Sequence, residues 1–195
     1  MPKYDAIFVM GPQGSGKGTQ AKMLAEKLGF FHWEMGGVLR QERDHRFADG
    51  QTVGGIIDSG TLLPDDKLLE VFKKRMGQIP AGQGVIFDGI PRRIGQAQFL
   101  INWLHSQGKQ NLVTIFLFLP REESLKRLSL RAQIENRADD TLEAMESRLR
   151  EHNQATVPIL GYMKENTKFI ELDGQPSIPE VTKEVERALG MNLSR

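Results

Sequence analysis

The segment between residues 11 and 19 constrains the fold more than any other part of this chain. It reads Gly-Pro-Gln-Gly-Ser-Gly-Lys-Gly-Thr, follows an apolar run at residues 4–10, and leads into a helical pattern at residues 17–28. Glycines let a backbone turn its N–H groups inward around phosphate oxygens, and the N-terminus of the next helix adds a partial positive charge. Lys17 can then reach the β- and γ-phosphates, and the Thr19 hydroxyl can hold Mg²⁺. The segment predicts a strand, a phosphate-binding loop and a helix in succession.

A glycine-rich turn between a strand and a helix can also exist without binding anything. Here Lys17 stands at a fixed offset from Gly14, with Gly18 and Thr19 behind it, and this combination favours phosphate binding. A dinucleotide-binding turn would show G-x-G-x-x-G without the lysine, whereas the order in this chain is G-x-x-G-x-G-K.

Apolar runs of strand length alternate with helical patterns along most of the chain. This alternation predicts an α/β fold with five parallel strands and helices on both faces of the sheet. The predicted strands are residues 4–10, 30–33, 85–87, 112–119 and 168–172. The predicted helices are residues 17–28, 68–76, 94–106, 122–132, 140–156 and 179–189. Residues 36–64 carry no strand pattern, and residues 131–140 are polar and short between two helices. Both are interpreted as excursions from the core.

Composition narrows the class of protein. The 195 residues, of which 39% are hydrophobic, suit one domain with small inserted lobes. The net charge of +1 gives no overall field that would attract nucleic acid or an anionic membrane. The absence of cysteine excludes disulfides and cysteine-ligated zinc. Because we find neither a secretory signal nor the roughly 18 apolar residues of a membrane helix, we expect a soluble, cytoplasmic protein.

Several motifs together resemble one family, the adenylate kinase branch of the nucleoside monophosphate kinases. The loop ends in G-K-G-T, and Asp88-Gly89-Ile90-Pro91-Arg92 is similar to the family's D-G-F-P-R segment. Leu39-Arg40 matches an L-R pair in the monophosphate-binding lobe, and residues 57–65 resemble the family's G-x-L-V-P-D edge. Lid arginines match at Arg127, Arg131, Arg137 and Arg148. The resemblance covers nearly the whole chain.

The resemblance implies an architecture. It is a five-stranded parallel sheet of the P-loop NTPase type, in the order 2-3-1-4-5, over which two smaller parts move. The core would comprise residues 1–33, 65–130 and 138–195, with a helical monophosphate-binding lobe at 34–64 and a short lid at 131–137. The lid is too short, and too free of cysteine, for the zinc-binding form seen in some relatives. A monomer is expected.

The resemblance also implies a reaction, the reversible Mg²⁺-dependent transfer of a phosphoryl group from ATP to AMP that gives ADP. It implies metal contacts for Thr19 and, through water, for Asp88, and catalytic roles for Lys17, Arg92, Arg127, Arg137 and Arg148. ATP would be bound by Gly14, Ser15, Gly16, Lys17, Gly18, Thr19, Arg127, Gly174 and Pro176. AMP would be bound by Met35, Arg40, Thr61, Leu62, Leu63, Gly89, Arg92, Gln96, Arg137 and Arg148.

Phosphoryl transfer requires positively charged side chains of this kind. Charge spreads over the equatorial oxygens of the moving phosphoryl group, so catalysis depends on positioning and on electrostatic stabilisation. Arginine supplies planar, two-pronged donors and stays charged. The acceptor is a phosphate oxygen that is already ionised near pH 7, so no general base is required and no convincing one is found.

Three positions depart from the family pattern: Met35 replaces a threonine, Gly37 replaces an aspartate, and Arg93 replaces a threonine or asparagine. The sequence therefore leaves open which base the monophosphate carries and which residues support the Mg²⁺ ion. A UMP/CMP-type or broad-specificity kinase is one alternative, and a nucleotide-binding regulator with weak turnover is another. Gln96 both donates and accepts, which suits the adenine edge and favours AMP.

Plainer interpretations apply to some of these side chains. Arg127 has Glu123 at i−4, so a helix-surface ion pair would also explain it. Trp33, Phe116 and Phe118 lie in strand-like runs and are expected in the core. The four histidines show no metal or catalytic spacing.

Overall fold

The computed structural model describes residues 4–59, 63–135, 149 and 158–191, with backbone only at 131–135. Its centre is one five-stranded sheet in the order β2-β3-β1-β4-β5, with every adjacent pair parallel. This confirms the predicted fold class and strand order. The strands are Ala6–Met10 (β1), Phe31–Glu34 (β2), Val85–Asp88 (β3), Leu112–Phe118 (β4) and Lys168–Asp173 (β5).

Helices surround this sheet close to where the sequence patterns predict them. They are Lys17–Leu28 (α1), Met35–Gln41 (α2), Val53–Asp58 (α3), Asp65–Met76 (α4), Ile94–Ser106 (α5), Arg121–Glu135 (α6), residues 158–166 (α7) and Ile178–Ala188 (α8). The short helices α2 and α3 fall in the segment predicted to carry no strand, and within its described residues none is found. The predicted helix over 140–156 lies outside the described residues, except at Leu149, which is helical.

Helix ends show where local signals outweigh periodicity. Helix α4 begins at Asp65 rather than residue 68, because Pro64 precedes it in extended conformation and Asp65 and Asp66 favour the positive end of the helix dipole. Helix α6 continues past the predicted end at residue 132, through Glu135. The backbone at 131–135, which begins the predicted lid, is therefore helical, and the division into core, lobe and lid stays a prediction.

Two apolar layers cover the two faces of the sheet. On one face Phe8 and Phe87 stack with ring centroids 5.1 Å apart, and Trp33 packs on Phe72 at 4.6 Å. On the other face Ile7 and Val9 belong to a cluster with side chains of α1 and α8. All five residues of β1 are buried, because both faces of a parallel sheet are covered. Each fully buried large apolar side chain stabilises the fold by about 1.5–3 kcal/mol.

The expectation for the β4 aromatics is right in one case and wrong in the other. Phe116 is buried, whereas Phe118 is 46% exposed. The last β1–β4 pair joins Met10 to Phe116, so beyond that point β4 is flanked only by β5. Phe118 lies beyond the end of β1, so it is not buried there, although the apolar run in which it stands predicts a buried side chain.

Candidate active site

The carboxyl ends of the parallel strands meet at one edge of the sheet, the usual place for a ligand in an open α/β fold. The loop after β1, the segment after β3 and the loop after β5 all lie along this edge. These are the segments that carry most of the predicted site residues.

The loop after β1 has a backbone that glycine alone adopts easily. Gly14 and Gly16 have φ of 81° and 83°, in the left-handed region, and Gly16 immediately precedes α1. A Cβ on Gly11 would lie 2.6 Å from the Leu117 carbonyl oxygen. The loop is therefore pressed against the end of β4, and its left-handed glycines give it the curled form that phosphate-binding loops use.

Polar side chains of this loop lie where a phosphate would meet them. The Lys17 ammonium donates to the Pro12 carbonyl oxygen at 3.3 Å, so it folds back along the loop. Thr19 is exposed on the first turn of α1. The Ser15 hydroxyl is buried without a hydrogen-bond partner among the described residues. Such an orphaned hydroxyl in a phosphate-type loop suits an anionic ligand.

Asp88 ends β3 directly beside this loop. It is 9% exposed, and burial raises the pKa of its carboxyl, an effect that Lys17 and His32 oppose and Glu34 reinforces. A Cβ on Gly18 would lie 3.2 Å from Asp88 Oδ2. The glycine that follows Lys17, where the general motif has serine or threonine, thus leaves room for the Asp88 carboxylate.

Arg127 is more than the helix-surface ion pair that its sequence allows. Its Nε donates to Glu123 Oε1 at 2.8 Å, so that ion pair does exist. In addition, Nη1 donates to the carbonyl oxygens of Gly14 (3.3 Å) and Gly174 (2.8 Å), and Nη2 donates to that of Gln175 (2.6 Å). The side chain joins the loop after β1 to the loop after β5, which places Gly174 and the exposed Pro176 near the phosphate loop.

A second cleft lies between the segment after β3 and the helices α2 and α4. Five of its eight lining residues are predicted monophosphate contacts, and the other three are not among the predicted site residues. The predicted five are Met35, Leu63, Gly89, Arg92 and Gln96, and the additional three are Gly36, Leu68 and Arg93. Buried Leu68 sits at the apolar spacing of α4, so its helical pattern was a usable signal. Arg93 is one of the three departures from the family pattern, whereas Gly36 gave no signal.

Gln96 is the most buried polar side chain in this cleft, with 2% of its surface exposed. Its Oε1 accepts a hydrogen bond from the Arg92 backbone N–H at 2.7 Å, and its Nε2 donates to Asp65 Oδ1 at 2.7 Å. The Arg92 side chain turns back on Gly89, donating from Nε to its carbonyl oxygen at 3.0 Å. Arg93 Nη1 approaches the same Asp65 oxygen at 3.4 Å.

The start of the predicted lobe explains one departure from the family pattern. Arg40 donates to Glu34 Oε1 at 2.9 Å, and both side chains are exposed. A Cβ on Gly37 would lie 3.0 Å from the other oxygen of Glu34. Glu34 places a carboxylate beside position 37, and the charge of an aspartate at 37 would repel it.

Some predicted contacts cannot be placed. Thr61, Leu62, Arg137 and Arg148 lie outside the described residues, and the side chain of Arg131 is not described. Within the described ranges, no group of three or more His, Asp or Glu side chains has the geometry of a metal site, and no helix is long and apolar enough to cross a membrane. The expectation of no zinc rests on the sequence alone.

Comparison with known proteins gives a consistent match. The family model described as "Adenylate kinase" matches residues 9–168. Among curated proteins, the chain is 35% identical to an adenylate kinase of Phocaeicola vulgatus, over 94% of this chain and 97% of that protein. It is 35% identical to an adenylate kinase of Thermus thermophilus, over 95% of this chain and 97% of that protein. A Caulobacter adenylate kinase is 34% identical over 95% of this chain and 98% of its own length.

Proposed function

The chain belongs to the adenylate kinase family of phosphotransferases, and from that premise we propose that it transfers the γ-phosphoryl group of ATP reversibly to AMP, which gives two ADP. One observation carries the proposal. The segment from Asp88 to Gln96 borders the phosphate loop at its first residue and lines the second cleft with Gly89, Arg92 and Gln96. A donor and an acceptor phosphate bound on either side of this segment would face each other.

On the donor side, the proposed ATP contacts are the loop residues 14–19, Arg127, Gly174 and Pro176. Lys17 would bind the β- and γ-phosphates once it leaves the Pro12 carbonyl, and the loop N–H groups would hold the remaining oxygens. Arg127 supports this by fixing the loops after β1 and β5 relative to each other.

Thr19 and Asp88 fit a magnesium ion that arrives with ATP. The Asp88 carboxylate is nearly buried, its pKa is raised by desolvation, and no described residue donates a hydrogen bond to it. A cation nearby would compensate a carboxylate in that environment. When bound, Mg²⁺ neutralises charge that develops on the phosphates. Asp88 would hold it through water, and the Thr19 hydroxyl would hold it directly.

On the acceptor side, Gln96, Met35 and the backbone at 61–63 and 89 would surround the base, and the arginines would hold the phosphate. The proposed phosphate ligands are Arg40, Arg92, Arg137 and Arg148. Arg92 lines the cleft, and its side chain is exposed there. Arginine stays charged at neutral pH, so it can neutralise the moving phosphoryl group.

Closure of the lobe (34–64) and lid (131–137) over the core would exclude water from the phosphates. The acceptor oxygen is already ionised, so charge stabilisation and alignment suffice without a general base. We propose a monomer that acts in the cytoplasm, with nucleotides as its partners and neither a nucleic acid nor a membrane among them.

The test is a set of initial rates with Mg²⁺-ATP and, in parallel, AMP, UMP, CMP, GMP or dAMP. The same rates without Mg²⁺ serve as the control. A strong preference for AMP supports the proposal and shows that Met35 is tolerated beside adenine. A preference for a pyrimidine would assign the chain to the UMP/CMP type, and ATP binding without turnover on any monophosphate would identify a regulator.

A further inference from the structure

The amide of Gln96 is held at both of its ends. The Arg92 backbone N–H donates a hydrogen bond to Gln96 Oε1 at 2.7 Å, and Gln96 Nε2 donates one to Asp65 Oδ1 at 2.7 Å. A backbone N–H can only donate and a carboxylate oxygen can only accept, so these two partners fix which end of the amide is nitrogen and which is oxygen.

We propose that Asp65 is a specificity-positioning residue, which locks the Gln96 amide in one orientation and so makes the acceptor cleft distinguish a 6-amino purine from a 6-oxo purine. This inference deepens the proposed function and rests on it. Asp65 belongs to α4 and touches no part of the phosphate loop in the contacts described above, so its effect would reach the substrate through Gln96.

The hydrogen-bonding groups of an amide differ at its two ends. The NH₂ carries two donors and the carbonyl oxygen two lone pairs, and the protein uses one of each. The remaining donor stays on the Asp65 side, and the remaining lone pair stays on the Arg92 side. Adenine presents the acceptor N1 beside an amino donor, whereas a 6-oxo purine presents an N1–H donor beside a carbonyl acceptor.

A glutamine that turns freely would accept both patterns by exchanging its two ends. In this cleft the exchange would set the Gln96 oxygen against the Asp65 carboxylate and its NH₂ against the Arg92 N–H. Both contacts would be repulsive, and both groups would lose a partner in a buried place. Asp65 therefore contributes half of the restraint that prevents the exchange.

Asp65 is itself held in position. It is the first residue of α4, directly after Pro64, whose φ of −54° is fixed by its ring. Arg93 Nη1 approaches Asp65 Oδ1 at 3.4 Å, and a Cβ on Gly95 would lie 3.8 Å from Oδ2. A restrained carboxylate can restrain its partner, which a mobile surface aspartate could not.

The experiment compares kcat/KM for AMP and for IMP, two monophosphates of nearly equal size that differ in this donor and acceptor pattern. Asp65→Ala should lower the AMP/IMP ratio about tenfold, since loss of a selective polar contact usually has at least this effect. The change should lie mainly in the KM of the monophosphates, while the KM for ATP stays the same. Asp65→Asn keeps an acceptor oxygen but adds a donor NH₂ that can face the exchanged orientation of Gln96, so its ratio should fall between those of wild type and Asp65→Ala.

Asp66→Ala is the matched control, because Asp66 is exposed on the same first turn of α4 and carries the same charge. It should leave the AMP/IMP ratio unchanged. If Asp65→Ala does not fold by circular dichroism, Asp65→Ser, which is too short to reach Gln96, must show the same fall in the ratio.

The outcomes separate the two proposals. A wild-type enzyme that prefers AMP, together with an Asp65→Ala variant whose ratio is unchanged, overturns the positioning role alone. Equal losses for AMP and IMP show that Asp65 only maintains the fold and also overturn it. A wild-type enzyme that phosphorylates no monophosphate refutes the proposed function and this inference with it.

Discussion

Replacement of Arg127 tests whether this side chain clamps two loops or only forms an ion pair on α6. Its guanidinium donates to three backbone carbonyls, those of Gly14, Gly174 and Gln175. A hydrogen bond of this kind contributes about 1 kcal/mol net, and the one to Gln175 is exposed and contributes less. Arg127→Ala should therefore lower the free energy of unfolding by about 2–3 kcal/mol.

The same variant should weaken ATP binding. Without the clamp, the loop after β5 is no longer fixed relative to the phosphate loop, so part of the ordering free energy must come from the ligand. We expect the KM for ATP to rise about tenfold, equivalent to about 1.4 kcal/mol, and the KM for AMP to stay close to the wild-type value. Arg127→Lys should restore less than half of either effect, because an ammonium lacks the planar fork.

Glu123→Ala is the matched control, since it removes the ion pair and leaves the three carbonyl contacts in place. Urea unfolding followed by circular dichroism gives the stabilities, and initial rates at saturating AMP give the KM for ATP. If Glu123→Ala and Arg127→Ala lower the stability and raise the KM for ATP equally, the clamp is refuted and the ion pair explains Arg127.

Three further predictions address other parts of the site. Lys17→Ala should lower kcat by at least about 100-fold with an unchanged circular dichroism spectrum, and near-normal turnover would contradict the phosphate-loop assignment. Burial raises the pKa of Asp88 in the folded protein above its value in the unfolded chain. The folded state therefore loses stability as pH rises from the lower of these two pKa values through the higher one. Asp88→Asn should therefore melt at a higher temperature than wild type at pH 7 while Mg²⁺-dependent turnover falls, and an unchanged or lower melting temperature would count against that sign. Hydrogen bonding to Lys74 lowers the pKa of Glu42 in the folded protein. The ionised Glu42 carboxylate therefore stabilises the fold at pH values above the ordinary carboxyl pKa, and this stabilisation is lost as pH falls through the pKa of Glu42 in the folded protein. Glu42→Ala should lower the free energy of unfolding by about 2 kcal/mol at pH 7, between the values of exposed and buried ion pairs, and a difference from wild type that grows on acidification would refute this.

Local sequence was sufficient for the phosphate loop and for most of the elements. The phosphate loop depends on glycines at a fixed spacing, and all of them lie within nine consecutive residues, 11–19. Strand and helix positions followed from apolar runs and periodicity, because these patterns reflect which side of each element is buried. The strand order came from the family resemblance, since pairing between distant strands leaves no local signal.

Contacts between distant residues could not be predicted from sequence. Asp65 and Gln96 are 31 residues apart, and Arg127 lies 47 residues from Gly174. The ion pair of Arg127 with Glu123 at i−4 was visible in the sequence, but its carbonyl contacts depend on where α6 packs. Phe118 shows the same limit, since the end of a neighbouring strand decides its exposure.

Ion pairs across the proposed lobe boundary at residue 64 bear on how the lobe would close. On the lobe side, Asp49 and Glu42 pair with Lys67 and Lys74 of α4 at 2.5 and 2.7 Å. Helix α4 is itself fixed in the core, where Phe72 packs against aromatic rings. Partly exposed ion pairs rearrange at much lower free-energy cost than packed side chains do. Phe47 and Val53 of the lobe lie in the same buried cluster as Phe72, so motion of the lobe would also have to shift this packing.

A ligand can drive that motion only through contacts that differ between the open and closed states. Arg40 is the described lobe residue best placed to supply such a difference, because it is exposed and bound to the exposed Glu34 carboxylate in this conformation. A monophosphate would offer Arg40 a doubly charged, two-pronged partner in place of that carboxylate. The exchange of Glu34 for phosphate as the partner of Arg40 would therefore link substrate binding to closure of the lobe.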